Sequence, residues 1–429
     1  MTIKKKINWW NADDLIFAVG VEDTFIPQTE RGERPLDEYE LTQHYEQWEH
    51  DIELIAASGA TMVRWGVPWY RVNPEKDRWD WEWLDKVAEK FEAVGVTPIL
   101  DLMHYGTPMW LDGEFLNPDY PARVAEYAGQ VSARYRNRWS VYTPLNEPML
   151  NALYCGLYGY WPPYGTGDAD FVAVIRALAR GIVATQRAID HELGDTASFV
   201  HVEASFRFVA DGIDAEDEAA FLRERAFLLQ DLVTGKVGAQ HPMRGFLHEN
   251  GFTEEDFQWH LANTALPDVM GVNYYPAGQT EVVSLAEPHT GGPGDYRARI
   301  NAGTEGLDDV LSLFAARYGA PVFLTETSIV GTDDERRAWL DASVASVDAL
   351  REKGVDVIGY TWWSIIDMIE WSYRDEDLGA TDYQLGMGLW ALVENEHGVL
   401  DRVRTPLAEH FRRHATRNRL SLNTVQLRA

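Results

Sequence analysis

The 429-residue chain has a single cysteine, Cys155, which excludes an internal disulfide framework and fits a reducing compartment. It has no run of the roughly 18 apolar residues that a transmembrane helix needs. The N-terminal stretch MTIKKKINWWNADDLIF starts basic, but Asn11, Asp13 and Asp14 interrupt it before an apolar core of signal-peptide length develops. Positive charge is scarce: 38 Lys and Arg stand against 68 Asp and Glu, a formal net charge of -30. Nucleic acid and anionic membranes are therefore repelled at long range and are not expected as partners. No linker rich in Pro, Gly or Ser divides the chain. Residues 1–429 read as one domain with a short N-terminal segment and a basic C-terminal helix or tail. The expectation is a soluble, cytoplasmic protein whose oligomeric state stays open.

What the chain has in quantity is aromatic side chains, including 17 Trp and 19 Tyr. Most belong in a core, yet aromatic faces also suit the C–H faces of sugars. Short apolar runs recur at 15–22, 61–67, 97–104, 139–147, 197–205, 268–275, 321–328 and 355–364. Between them lie segments of helical periodicity such as HYEQWEHDIELIAASG and WEWLDKVAEKFEAVG, several ending on a glycine (Gly59, Gly95, Gly354) just before the next strand. An open doubly wound sheet would carry a Gly-rich phosphate loop after its first strand, and none is present. Eight strand–helix units in one domain predict a closed (β/α)₈ TIM barrel. Segments 156–167 and 276–304 read as long loops at its mouth, and Pro148 as a residue hostile to helix.

In such a barrel the C-terminal strand ends line the catalytic mouth. The expected ring there is Arg64, His104, Asn146, Glu147, Asn273, Tyr275, Glu326 and Trp363. Glu147 and Glu326, after strands four and seven, face each other across the barrel. Two carboxyls flanking a cavity, without a metal set or a nucleophile elbow, suit glycosidic-bond hydrolysis. Taken singly the residues allow plainer roles. Asn146 and Pro148 could form a strand-ending turn, Arg64 a buried ion pair and His104 a satisfied core histidine. Of Trp362, Trp363 and Trp371, Trp362 is expected in the core, and Asp375, Glu376 and Asp377 in a solvated loop.

TPLNEP resembles the acid/base motif of glycoside hydrolase family 1, and VFLTETS resembles its nucleophile motif. LMHYGTPMWL, GVNYYP and YTWWSIIDMIEW are similar to further segments of that family, in its order. The resemblance implies a retaining β-glycosidase, β-glucosidase-like, needing neither metal nor organic cofactor and acting on a small glycoside or oligosaccharide. It implies that Glu147 is the acid/base, Glu326 the nucleophile and Asn146 the partner of the sugar 2-hydroxyl. Arg64 and Tyr275 would hold Glu326 and lower its pKa. His104, Glu370 and Trp371 would bind the glycone, and Trp363 would form its stacking floor. A transglycosylase using the same intermediate and a non-catalytic carbohydrate-binding barrel are the alternatives.

The departures concern the sugar rather than the chemistry. Counting from Gly20 puts Pro27 where the family carries a glycone-binding Gln, with Glu22 and Asp23 nearby as candidate replacements. Tyr105 stands in place of a Trp, and Thr327–Ser328 in place of Asn-Gly. Glu370 and the acidic loop after it disfavour a phosphorylated glycone, and Arg374 is the single opposing cation there. A neutral glycone other than a plain β-glucoside is expected.

Overall fold

The computed structural model describes residues 9–10 and 14–426, with side chains to residue 417. Most of the N-terminal stretch behind the targeting argument, and the end of the basic C-terminal segment, lie outside the described residues.

Eight strands form the centre: β1 (Ile16–Gly20), β2 (Met62–Gly66), β3 (Thr97–Asp101), β4 (Val141–Thr143), β5 (Ser198–Ala204), β6 (Val269–Asn273), β7 (Val322–Thr327) and β8 (Val357–Trp362). Each pairs with its neighbours in sequence, and β8 closes on β1 with Ile16 opposite Gly359 and Val19 opposite Trp362. The result is the expected closed, parallel (β/α)₈ barrel. Because both faces of every strand are covered, the strands read as continuous buried runs without alternation.

The surrounding helices are α1 (His44–Ala57), α2 (Glu82–Val94), α3 (Tyr120–Arg134), α4 (Asp168–Leu193), α5 (Glu216–Val233), α6 (Gly303–Tyr318), α7 (Asp333–Glu352) and α8 (Pro406–Gln426). Their boundaries follow local chemistry. α2 buries Leu84, Val87, Ala88 and Phe91, a stripe at helical spacing, and stops where Gly95 takes up φ 70°. α7 opens with a capping box between Thr332 and Glu335. Inside the barrel, Ala18, Met62, Ile99, Val141, Val200, Val269, Phe323 and Ile358 pack into a layer at the N-terminal end, with Trp9 and Trp10 against it. Burying each of the larger members stabilises by about 1.5–3 kcal/mol, so this layer is a solid floor rather than a pore.

Two local expectations change. Segment 276–304 is not only loop: Thr280–Val283 and Arg299–Ile300 join Arg207–Ala210 in a small three-stranded sheet. The β-branched run at 280–283 pays for this order by burying Thr280 and Val283. Pro148 does not block a helix but opens a short one, Pro148–Ala152, at the first position, where its missing N–H costs nothing.

After β8 the strands Trp390–Glu394 and Leu400–Arg404 form an antiparallel hairpin, which a buried ion pair ties to α1. Arg402 donates to the two Asp51 carboxylate oxygens at 2.8 and 3.0 Å, and both side chains are 0% exposed. His44 Nδ1 bonds the same carboxylate at 2.8 Å. Removing one partner leaves the other charge buried, so Arg402→Met is expected to cost about 3–5 kcal/mol in urea denaturation. An Arg402→Met/Asp51→Leu double variant should lose less than the sum of the single changes.

Candidate active site

Side chains two apart on a barrel strand point the same way, so β2, which lays Met62 into the floor layer, also aims Arg64 inward one level higher. Three acceptors surround this 1%-exposed guanidinium: Glu326 Oε1 at 2.5 Å, Asp101 Oδ2 at 2.6 Å and Asn146 Oδ1 at 2.8 Å. Glu326 reaches it through a register shift. Leu324 pairs with Val272, yet Asn273 pairs with Glu326, so β7 carries one extra residue there. Such a bulge re-aims the following side chain. Tyr275, just past β6, donates its hydroxyl to Glu326 Oε2 at 2.7 Å.

Glu147 lies between the end of β4 and the short helix, in the left-handed region at φ 42°, a conformation that non-glycine residues adopt rarely. Its partners are neutral: Tyr105 Oη donates to Oε2 at 2.7 Å and Asn273 Nδ2 to Oε1 at 2.8 Å. Asn146 Nδ2 lies 3.0 Å from His104 Nε2 and donates to Tyr105 Oη at 3.1 Å. Tyr105, itself at φ 78°, was noted in the sequence only as a departure from a Trp. That one substitution was the signal of a phenol bonded to Glu147.

A cavity of ≈ 380 Å³ opens above these groups. Of the nine expected site residues, His104, Glu147, Tyr275, Glu326, Trp363, Glu370 and Trp371 line it. Arg64 and Asn146 lie behind its wall. Trp363 packs over Gly20, where a Cβ would overlap its ring. Its indole Nε1 donates to Glu22 Oε2 at 2.8 Å, while Thr24 binds Glu22 Oε1. Glu22 lines the cavity; Asp23 instead pairs with His104 Nδ1 at 2.9 Å and is no part of the wall. Glu370 is fixed by the Ser372 backbone N–H at 3.0 Å and by the Ser372 hydroxyl. Trp362 is core, 0% exposed. Asp23, Asp101 and His104 converge closely enough to hold a cation, but Arg64 already supplies the positive charge at Asp101.

Residues 18–377 match the family model described as glycosyl hydrolase family 1. The chain belongs to this family. It is a glycoside hydrolase of a retaining β-glycosidase family. A bifunctional beta-D-glucosidase/beta-D-fucosidase of Bifidobacterium breve is 26% identical over 383 residues, covering 77% of this chain and 80% of that one. A 6-phospho-beta-glucosidase of Dickeya chrysanthemi is 25% identical, covering 76% of each chain. In fold the chain is similar to the beta-glucosidase from Thermotoga maritima in complex with deoxynojirimycin, with TM-score 0.77, 19% identity and coverage of 97% and 99%. Among the described residues, no helix is long and apolar enough to cross a membrane.

The electrostatics of this family 1 site differ in one respect from the sequence expectation. Arg64 and Tyr275 are expected to depress Glu326, but burial opposes the Arg64 cation and pushes the carboxyl upward, with the Glu147 charge adding to the rise. Burial raises Glu147 as well, against its bonds from Tyr105 and Asn273. Each anion opposes the other, so the two carboxyls titrate as a pair. The direct cation contact falls on Glu326 alone, and a contacting cation favours the anionic form of that carboxyl.

A donor to a carboxylate favours the charged form, so deleting the Tyr105 hydroxyl removes a lowering influence. Tyr105→Phe is therefore expected to move the Glu147 titration to higher pH, as read by carbon NMR of labelled glutamate. A shift to lower pH would contradict the assigned bond.

Proposed function

We propose that the protein hydrolyses a neutral β-linked glycoside with retention of configuration, through a glycosyl ester on Glu326. The observation that carries this reading is the asymmetry of the two carboxyls: Arg64 touches Glu326, whereas only neutral donors touch Glu147. An anionic Glu326 oxygen attacks the anomeric carbon while Glu147 gives its proton to the departing glycosidic oxygen. Esterification removes the Glu326 charge, the pKa of Glu147 falls, and Glu147 then takes a proton from the water that attacks the same carbon and releases Glu326.

The glycone reading rests on the charge around the cavity. Asp375, Glu376 and Asp377 are exposed beside Glu370 and repel a phosphate dianion. Arg374 offers it nothing: the guanidinium is buried and donates to the Ile26, Gln28 and Arg34 carbonyls and to the Tyr164 hydroxyl. Glu22, placed by Trp363 and Thr24, takes the part of the missing glutamine. A carboxylate only accepts hydrogen bonds, so it selects a sugar hydroxyl that donates.

The division of labour is tested with azide. Glu326→Ala with added azide should yield the α-glycosyl azide, and Glu147→Ala, given a substrate with a very good leaving group, the β-azide. The same anomer from both would refute the roles, and exchanged anomers would reverse them. For the glycone, Glu22→Ala should lower kcat/KM on the preferred aryl β-glycoside by about 10- to 100-fold, the loss expected for one charged hydrogen bond. In a panel of aryl β-glycosides, efficient glucoside turnover that is unaffected by the change would remove Glu22 from the glycone site.

A further inference from the structure

On the Glu147 side of the cavity a smaller recess of ≈ 50 Å³ opens, sharing Leu150, Phe206 and Arg299 with the main space. Leu150 lies one helical turn beyond Glu147, so this is the side on which a leaving group departs. In a chain of formal charge -30 the recess is cationic. Arg225, Arg297 and Arg299 line it together with a single carboxylate, Glu281. Glu281 is shared, lying 3.3 Å from Arg297 Nη1 and 3.7 Å from Arg299 Nη2. Arg225 is 8% exposed and, among the described residues, forms an ion pair with no carboxylate. Burial lowers its pKa, Arg297 lowers it further, and Tyr158, Glu218 and Asp168 oppose this. A buried guanidinium with no carboxylate in contact is only partly compensated, and an arriving anion would complete its pairing.

We infer that the aglycone of the natural substrate carries an oxyanion, a carboxylate or its equivalent, on an apolar body, and that Arg225, Arg297 and Arg299 bind that anion. The recess size agrees. One water takes roughly 10–15 Å³ on the same measure, so ≈ 50 Å³ admits a carboxylate but no second sugar ring. Leu150 and Phe206 line both spaces and offer apolar surface to an aromatic or aliphatic body. The planar guanidinium groups suit two-point recognition of an oxyanion. This subsite lies apart from the glycone groups Glu22, Glu370 and Trp363, and it rests on the glycosidase reading above.

The test compares the β-glycoside of 4-hydroxybenzoate with that of its methyl ester, which has nearly the same shape without the charge. The ester is the better leaving group, so chemistry alone favours it. The wild type is expected to prefer the acid by about tenfold or more in kcat/KM, the scale of a charge-assisted hydrogen bond. Arg299→Gln should lower the acid-to-ester ratio about tenfold. Its side chain is 38% exposed, so folding is not at stake, and Arg225→Gln should do the same where it folds. Calorimetry with free 4-hydroxybenzoate, beside sulfate and inorganic phosphate, tests binding without turnover and separates an aglycone acid from a free anion. Turnover of the ester with a ratio at or below one would overturn the inference and leave the glycosidase reading standing. No turnover of either glycoside, with binding of 4-hydroxybenzoate weakened in Arg299→Gln, would keep the subsite and overturn the glycosidase reading. Tighter binding of sulfate or phosphate than of 4-hydroxybenzoate would assign the arginines to a free anion and overturn the aglycone proposal.

Discussion

A guanidinium inside a barrel is expensive to desolvate, and the mouth of this protein is organised around meeting that cost at Arg64. Glu326, Asp101 and Asn146 each give it an oxygen within 2.8 Å. Those three acceptors come from β7, β3 and the end of β4, so one side chain fixes the relative height of separate strand ends. The bond to Asn146 settles the orientation of that amide and leaves its nitrogen for His104 and Tyr105. Tyr105 in turn holds Glu147. The two carboxyls are thus not placed independently; they are the two ends of one network that starts at a buried cation, and a change at Arg64 would be felt at both.

The barrel and the carboxyl pair were legible because they depend on features that are local in sequence. Each strand announces itself by a run such as VRWGV or VFLTET, and both glutamates sit within a short, recognisable context. Glu22 was harder to place. Counting from Gly20 toward Pro27 assumes a loop of fixed length, whereas here the second residue past β1 already reaches the wall. Arg374 looked like a loop cation because the sequence beside it is charged. Its guanidinium is in fact spent on backbone carbonyls of the segment after β1, contacts more than 300 residues away in sequence. Arg225, Arg297 and Arg299 escaped notice for the same reason, since α5 and the small outer sheet meet only in three dimensions.

The acidic surface and the arginine-lined recess answer different questions. Charges spread over the exterior are screened within about 8–10 Å at ordinary ionic strength and set only the approach of a ligand. The guanidinium groups of the recess act at contact, where little water intervenes. An anionic leaving group would therefore meet resistance far from the protein and attraction at the mouth, a combination that favours selectivity over speed of encounter.

The floor layer of Ala18, Met62, Ile99 and Phe323, with Trp9 and Trp10 against it, leaves the barrel open at one end. Traffic is consequently single-file. In the proposed reaction the departing aglycone and the incoming water use the same doorway, so the ester on Glu326 waits until the doorway clears. Whatever stands there next, water or a sugar or alcohol hydroxyl, becomes the acceptor. How long a leaving group lingers beside Glu147 therefore decides the balance between breaking glycosides and building them.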